Sequence, residues 1–394
     1  MFRIIVIIIA AILFLSMYIP LQASSLSLPA DVIFTAVKFG EPAKLLRIES
    51  QTMTVEVFYS DPLAREDGLR ALKWSPDRQK LAIVRIEAEN PDPNSPDSYQ
   101  RLCVLDRYGV LQQCLQEEAI GYRNEFGESQ LDALTWSSDS QTIFYVSTLP
   151  DKRNVRLIEA SAATGKTRRV LYEYPRLGYY APPLFIWSLP DVVLLGSYFE
   201  QAAEYPLPLE MRSLTTQADQ GYNLQSLFPN NQFQRVCSRS SPKGNYFVIL
   251  SGAFQAQHMS IFNRQGQIVH TVTSTVEFPN LTFGSCPAWH PNESEFYFSA
   301  ATTASSAPYL FRYSLQERKI YSRYFVPDVS LQKPELPYYS GNPFEVSPDG
   351  QHIVGSSGLG GYIVIYPPDE TGDPLSFGGY DITLSPLWVP PLDE

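Results

Sequence analysis

An all-β fold, in which a ring of four-stranded antiparallel blades forms a β-propeller, is predicted from three observations on the sequence. A short turn motif returns along the chain at roughly even spacing. Runs of β-branched and aromatic residues lie between its copies. The composition, with 13% aromatic residues and 32 prolines among 394 residues, is typical of many short strands joined by turns. Because each repeat buries its apolar face on its neighbours, we expect a single domain over residues 30–394.

The turn motif joins an aromatic residue to Ser, Pro and Asp, as in Trp74-Ser75-Pro76-Asp77. Ser, Pro and Asp preset the dihedral angles of a tight β-turn, and the aromatic side chain supplies apolar surface that packs against a neighbouring blade. The first position of each copy is named its anchor. The seven anchors are Trp74, Trp136, Trp187, Ser240, Trp289, Val346 and Trp388. They are separated by 62, 51, 53, 49, 57 and 42 residues, a spacing typical of four-stranded propeller blades.

The two ends of the chain predict how the ring closes. Trp388 heads a unit whose other strands are missing, whereas three strand-like runs near the start, at residues 32–37, 44–48 and 53–58, lack an anchored strand. We predict that the C-terminal strand, about Ile382 to Val389, pairs with these runs as their innermost strand, which removes exposed sheet edges. The ring then has seven blades. Six blades are the alternative, because the unit at Trp187 is weak.

The repeats resemble those of a known family. Trp74-Ser75-Pro76-Asp77 and Ser347-Pro348-Asp349-Gly350, each followed by an apolar strand, are similar to the repeats of TolB-type, WD-like β-propellers. The similarity covers essentially everything after the apolar start of the chain. It implies the propeller fold and, for many relatives, a role in protein interaction. It implies no catalytic residue.

The start of the chain predicts export. Residues 1–23 contain Arg3, an apolar run from Ile4 to Leu15 and a small-residue end at Ala23-Ser24-Ser25, which is typical of a signal peptide. The segment from Ile4 to Leu21 also approaches the length that spans a bilayer, so a retained signal-anchor is the alternative to cleavage. In both cases we expect the propeller to be periplasmic, extracellular, or membrane-anchored and facing outside.

The net charge limits which classes of binding partner we expect. With 30 basic and 41 acidic residues the net charge is −11, which lacks the basic footprint of a nucleic-acid binder and disfavours an anionic membrane surface. We therefore expect a protein or glycan partner at the cell envelope and no nucleic acid. Membrane contact is expected only through an uncleaved N-terminal anchor.

The order of strands in a blade predicts which face binds. If the strands are a to d from the axis outward, the a–b and c–d turns lie on one face, and the b–c and d–a connections lie on the other, the long-loop face. The second set includes long segments such as Glu87 to Ser98 and Phe325 to Asn342. Long loops on a rigid scaffold commonly carry recognition. The predicted binding residues are Tyr122, Phe126, Tyr179, Tyr180, Tyr205, Tyr338, Tyr339, Glu125 and Glu204. The alternative is that these tyrosines pack within their own loops and the acids only solvate them.

Four cysteines in an exported chain predict disulfides. A two-residue turn at Tyr108-Gly109 would place Arg107 opposite Val110 and therefore Cys103 opposite Cys114. Cys237 and Cys286 each stand three residues before an anchor, so they occupy equivalent points on neighbouring innermost strands. We predict the pairs Cys103–Cys114 and Cys237–Cys286, with four buried thiols as the alternative.

Patterns for catalysis are weak. The chain has no Gly-x-Ser-x-Gly motif, and its four histidines, His258, His270, His290 and His352, do not fall at metal-ligand spacing. The innermost strands are predicted to offer chiefly Leu, Ala, Val, Cys and Ser. We therefore predict a non-enzymatic binding or scaffolding module without a cofactor or metal. The alternative is a propeller enzyme, a lyase or a glycan-active hydrolase, with its site in the central funnel.

Overall fold

The computed structural model describes most of the propeller and leaves the predicted signal at residues 1–23 outside the described residues. The described ranges are 27–87, 100–116, 122–123, 129–130, 134–148, 154–175, 192–195, 210–213, 222–223, 237–251, 258–283, 287–302, 305–325, 344–356, 361–367 and 374–392. Across these ranges no helix is long and apolar enough to cross a bilayer.

The described regular structure consists of β-strands. In chain order they are β1 (Val32–Val37), β2 (Lys44–Ile48), β3 (Val55–Ser60), β4 (Ala64–Trp74), β5 (Lys80–Glu87), β6 (Gln100–Asp106), β7 (Leu111–Cys114), β8 (Tyr122–Arg123), β9 (Ser129–Gln130), β10 (Leu134–Trp136), β11 (Thr142–Thr148), β12 (Asn154–Ser161), β13 (Thr167–Pro175), β14 (Val192–Leu195), β15 (Glu210–Ser213), β16 (Tyr222–Asn223), β17 (Cys237–Ser240), β18 (Tyr246–Ser251), β19 (His258–Asn263), β20 (Ile268–Val272), β21 (Thr282–Phe283), β22 (Ala288–Trp289), β23 (Glu295–Thr302), β24 (Ser305–Ser314), β25 (Lys319–Phe325), β26 (Phe344–Val346), β27 (Ile353–Ser356), β28 (Ile363–Tyr366), β29 (Leu375–Phe377) and β30 (Ile382–Trp388).

These strands pair into antiparallel blades that we name by their anchors. The blades are the Trp74 blade (β4–β7), the Trp136 blade (β10–β13), the Ser240 blade (β17–β20), the Trp289 blade (β21–β25), the Val346 blade (β26–β29) and the closing blade (β30 with β1–β3). In the Trp289 blade the innermost position is shared by β21 and β22, which both pair with β23. The predicted β-propeller with four-stranded antiparallel blades is confirmed. Six blades are complete among the described residues, so the predicted count of seven is not confirmed; β14–β16 form a further three-stranded sheet.

The ring closes as the sequence predicts. The C-terminal strand β30 pairs antiparallel with β1, with Val32 opposite Trp388 and Val37 opposite Ile382. The closing blade has the order β3-β2-β1-β30, so strands from both ends of the chain share one sheet. This pairing gives β1 a partner on each side and makes β30 the innermost strand of the blade.

Four of the described turns are held by their serine, at Ser75, Ser137, Ser241 and Ser347, and His290 takes that position in the Trp289 blade. The Ser75 amide donates to the Lys80 carbonyl at 2.8 Å, and the Ser75 hydroxyl accepts from the Lys80 amide at 3.0 Å. Three residues after the serine the backbone is left-handed, with φ of 60° at Arg78. Glycine meets that requirement without steric cost at Gly244 and Gly350. At Gly350 glycine is needed for space as well, since a Cβ there would lie 2.0 Å from His290 Nε2.

The tryptophan anchors join each blade to the one before it. Three indole nitrogens donate to backbone carbonyls: Trp136 to Lys73 at 3.3 Å, Trp289 to Arg239 at 3.2 Å and Trp388 to Glu345 at 3.1 Å. Each accepting residue stands immediately before the anchor of the preceding blade. The indole nitrogen of Trp74 is also buried, but it has no hydrogen-bond partner among the described residues. At that boundary Arg107 donates to the Pro390 carbonyl at 2.8 Å and fastens the C-terminal segment instead.

The apolar core lies between the blades. One cluster joins the Ser240 and Trp289 blades and contains Phe296, Phe298 and Phe311, each almost completely buried. Comparable clusters join the Trp74 blade to the closing blade and to the Trp136 blade. Both faces of such a blade are therefore covered by apolar contacts with its neighbours.

The predicted Cys103–Cys114 disulfide is present. The two residues are opposite each other in β6 and β7, although the predicted turn register is wrong by one residue. The Asp106 amide, not Arg107, bonds to Val110, and a bulge between Val104 and Leu105 restores the pairing of the cysteines. Cys286 and the Cys237 side chain lie outside the described residues, so the second disulfide stays a prediction.

The indole bonds between blades predict a difference between two equivalent substitutions. Trp289→Phe removes an indole that donates to Arg239, whereas Trp74→Phe removes a buried nitrogen without a partner. Both changes delete a similar volume, so the extra loss in Trp289→Phe should be about 1–2 kcal/mol of unfolding free energy. Urea denaturation followed by circular dichroism measures both. Equal losses in the two variants would contradict the role of the bond.

The disulfide predicts a measurable stabilisation. Replacing Cys103 and Cys114 together by alanine should lower the free energy of unfolding by about 3 kcal/mol, because a cross-link over a short loop restricts the unfolded chain. Thermal unfolding of both proteins in non-reducing buffer measures the loss. Peptide mapping under non-reducing conditions that finds both thiols free would overturn the assignment.

Candidate functional site

The face formed by the a–b turns, which we name the turn face, is occupied by contacts between its own turns. The Asp77 amide donates to Ser140 Oγ at 2.9 Å, which links the turns of the Trp74 and Trp136 blades. Glu293 plays the same role further round the ring, accepting from the Lys243 amide at 2.5 Å and from Asn245 Nδ2 at 2.6 Å. The polar groups of these turns are therefore used in holding neighbouring blades together.

The predicted binding residues of the long-loop face fall almost entirely outside the described residues. Tyr122 is described through its backbone only: it lies in β8 and pairs with Gln130 of β9. The others, which are Phe126, Tyr179, Tyr180, Tyr205, Tyr338, Tyr339, Glu125 and Glu204, lie outside the described residues. The structure neither brings these side chains together nor separates them, so the cluster stays a prediction.

One long connection on this face is described, residues 273–281 between the Ser240 and Trp289 blades. It is closed by two hydrogen bonds of 3.0 Å: the Thr275 amide donates to the Phe278 carbonyl, and the Phe278 amide donates to Thr275 Oγ1. The Phe278 ring packs edge-on against Phe311, with the ring centres 5.2 Å apart, and anchors the loop on the core. Val276 at its tip is fully exposed. This loop is therefore a fixed projection from the long-loop face.

A buried ionic group supports the same face at the closing blade. Asp61 accepts from Arg85 at 3.0 Å and from the Tyr59 hydroxyl at 2.8 Å, and both charged residues are buried. Burial by itself would raise the pKa of Asp61, but hydrogen bonds from the Leu63 amide, Tyr59 and Arg85 outweigh it and lower that pKa. Burial, followed by the bond to Asp61, raises the pKa of Tyr59. The ionised carboxylate thereby fixes the connection into β4.

A second ionic pair lies on the innermost strands. Arg239 of β17 reaches past the Trp289 blade, where the equivalent position is the small Ala288, to the Val346 blade. There its guanidinium lies 3.9 Å from a Glu345 carboxylate oxygen and donates to the Phe344 carbonyl at 3.4 Å. The other Glu345 carboxylate oxygen accepts from the Trp388 amide at 2.7 Å. Glu345 thus connects three blades, including the one that closes the ring.

The environment of Glu345 favours its neutral form. Its burial raises the pKa to about 7, and the opposing effects of Arg239 and the Trp388 amide do not cancel that rise. The prediction that innermost strands carry chiefly apolar and small residues is therefore wrong at these positions. Aligning the repeats on their anchors would have found Arg239 and Glu345, since each immediately precedes an anchor.

Each of the four histidines has a different structural environment. His258 is exposed, and His270 stacks on Tyr313 with the ring centres 5.7 Å apart. His290 accepts from the Asn292 amide at 3.2 Å within its turn, and the His352 amide donates to Ser347. Burial lowers the pKa of His270. Within the described ranges, no group of three or more His, Cys, Asp or Glu side chains is arranged to hold a metal ion.

The raised pKa of Glu345 predicts how stability depends on pH. Between its ordinary pKa of 4.5 and about 7, the folded protein holds more protons at this site than the unfolded chain, so stability falls as pH rises. We expect a loss of about 3 kcal/mol from pH 4.5 to 7.5 due to this residue. Glu345→Gln keeps an oxygen for the Trp388 amide but cannot ionise, so it should flatten the dependence. Urea unfolding at several pH values measures it, and identical slopes in both proteins would contradict the assignment.

Comparison with known proteins identifies the fold. No protein-family model matches the chain, and no curated protein matches it. Among solved structures, TolB from Acinetobacter baumannii has a TM-score of 0.50 at 11% identity, covering 92% of this chain and 67% of its own. An oligogalacturonate lyase in complex with manganese has a TM-score of 0.54 at 13% identity, and the match covers 87% of this chain and 83% of the lyase. The periplasmic gluconolactonase PpgL from Pseudomonas aeruginosa has a TM-score of 0.51 at 13% identity, and the match covers 90% of this chain and 99% of PpgL. The chain thus shares its β-propeller fold with TolB and with enzymes, and at these identities the likeness shows the fold alone.

Proposed function

We propose that the protein is an exported, non-enzymatic β-propeller that binds a protein or glycan partner at the cell envelope through its long-loop face. The observation that carries the proposal is the difference between the two faces. On the turn face, polar groups such as Ser140 and Glu293 form hydrogen bonds between neighbouring blades. In the described blades, the strand ends that lead into the b–c and d–a connections lie on the opposite face, and loops on a rigid scaffold commonly carry recognition.

Export is supported by the disulfide. Cross-links such as Cys103–Cys114 persist in oxidising compartments and are rare in reducing ones. The apolar segment within residues 1–23 supplies the signal, as a cleaved peptide or a retained anchor. The net charge of −11 favours a polypeptide or glycan over nucleic acid as the partner.

We further propose that β14–β16 are the described part of a seventh, Trp187 blade. The order β14-β15-β16 corresponds to the b, c and d strands of the complete blades. β14 begins five residues after Trp187, much as β5 begins six residues after Trp74. The expected innermost strand, ending at Trp187, lies outside the described residues.

A second candidate function is an enzyme with a site in the central funnel. It is favoured by the Glu345 carboxyl, which has a pKa of about 7 and a guanidinium 3.9 Å away, a combination that suits proton transfer near neutral pH. Oligogalacturonate lyase and gluconolactonase are the named enzymes that share the fold. The variant Glu345→Gln distinguishes the two functions, because it should abolish the turnover of an enzyme and leave partner binding intact.

Proximity labelling in the native envelope tests the binding function. The full-length protein carrying a labelling enzyme should mark a reproducible set of proteins or glycan-bearing molecules. Replacing the connection at residues 88–99 with a Gly-Ser segment of equal length should reduce that labelling at least fivefold, because the change removes recognition without touching a strand. Tyr108→Ala, at an exposed c–d turn on the opposite face, is the matched control and should leave the labelling unchanged.

Two results would count against the proposed function. If labelling is no higher than with an unrelated exported protein, the proposal that the protein has an envelope partner is wrong. Equal loss of labelling in Tyr108→Ala and in the loop replacement would remove the assignment of the partner to the long-loop face.

A further inference from the structure

A narrow groove opens at the long-loop end of the closing blade and runs along its outermost strand, β3. Its floor is formed by the buried side chains of Ala36 and Leu46, and its walls by Val57 and Tyr380. Val57 is 57% exposed, and Val55, further along β3, is 39% exposed. The groove therefore presents apolar surface to solvent on a blade whose inner strands are fully packed.

The mouth of the groove is held in a fixed shape. A tight turn at Lys38–Glu41 is closed by a 3.0 Å bond from the Glu41 amide to the Lys38 carbonyl, with Gly40 at a φ of 84°. The Phe39 amide donates to Asp381 at 2.7 Å, which ties this turn to the segment that carries Tyr380. Tyr380 in turn packs edge-on against Phe34, with the ring centres 5.8 Å apart. A site prepared in this way loses little entropy when a ligand binds.

The charges at the mouth are paired with one another. Glu41 contacts Lys44 at 2.7 Å and Lys38 at 2.9 Å, and these hydrogen bonds lower the pKa of Glu41 to about 2. Glu56 is bonded to Arg47. Because these charged groups are paired with one another, an apolar side chain can pack beside them without leaving a charge unpaired.

The size and position of the groove select among ligands. Its volume is about 190 Å³, which is below the roughly 300–1,000 Å³ of sites that enclose a drug-sized molecule. It is sufficient for a single large side chain. Because β3 is the terminal strand of the order β3-β2-β1-β30, an extended peptide lying along its outer edge would direct alternate side chains towards the groove.

We propose that this groove is a docking site for an extended polypeptide segment, which inserts one aromatic or branched aliphatic side chain between Val57 and Tyr380. Phe39, 66% exposed beside the mouth, provides a second apolar contact for the same segment. This inference deepens the proposed binding function and rests on it, since it names where a protein partner contacts the closing blade. It also selects protein over glycan for this contact.

Peptide selection tests the proposal with a defined probe. A phage-displayed library of random twelve-residue peptides is panned on the immobilised full-length protein, and affinities of the enriched peptides are measured by biolayer interferometry. We expect peptides with a central aromatic or branched aliphatic residue. Val57→Glu places a charge in the wall of the groove and should weaken them at least tenfold.

The matched control is Val170→Glu, which makes the same change at an exposed valine of β13, the outermost strand of the Trp136 blade. It should bind the peptides as the wild type does. Tyr380→Phe keeps the ring and should also bind, while Tyr380→Ala should not. Circular dichroism melts of all variants show whether a loss of binding reflects unfolding, and a folded Val57→Glu protein is required for the comparison.

Three outcomes would overturn the proposal. Peptides that bind Val57→Glu as tightly as the wild type would place their site elsewhere, and a library without any enriched peptide would remove the site. A wild-type dimer in sedimentation analysis that becomes monomeric in Val57→Glu would show that a second copy fills the groove. Each result leaves the envelope labelling unaffected, so failure here is distinguishable from failure of the proposed function.

Discussion

Packing of each blade against its two neighbours is the constraint on which the rest of the structure depends. A four-stranded sheet with apolar side chains on both faces cannot be stable alone, and the ring supplies the two cover surfaces that each sheet needs. The anchors make this packing directional. A tryptophan such as Trp289 buries its ring between blades and also donates to the carbonyl of Arg239, so the blade spacing is set by a hydrogen bond as well as by apolar contact.

Closure follows from the same constraint and concentrates polar interactions at one seam. The closing blade takes strands from both chain ends, and its anchor Trp388 is bonded through the indole and the amide to the same residue, Glu345. Burying a carboxyl costs free energy unless it is neutral or paired, and Glu345 meets the cost in part by its raised pKa and in part by Arg239.

The spacing of the anchors and the pattern of apolar residues predicted the propeller, but they did not predict contacts between repeats. Residues that act within one blade were foreseen, including the strand pairing at Cys103 and Cys114. Even there the turn register was off by one, since a bulge has no signature in the sequence. Aligning the repeats would have located Arg239 and Glu345, but not their pairing, because the two residues lie two blades apart and meet in the closed ring. The aromatic and acidic candidates of the long-loop face were chosen from loop length and residue type, which predict a location but no shape.

Among the blades that the structure describes, the closing blade alone has a sheet joined from two distant parts of the chain. Anything that binds across β3 and the segment 378–381 contacts both parts at once, because Val57 belongs to the first and Tyr380 to the second. Such a ligand binds only the closed ring and stabilises it by mass action. Partner binding and ring closure are then thermodynamically linked, so strengthening closure also improves binding. A ligand of this groove would therefore bind the folded propeller in preference to the unfolded chain.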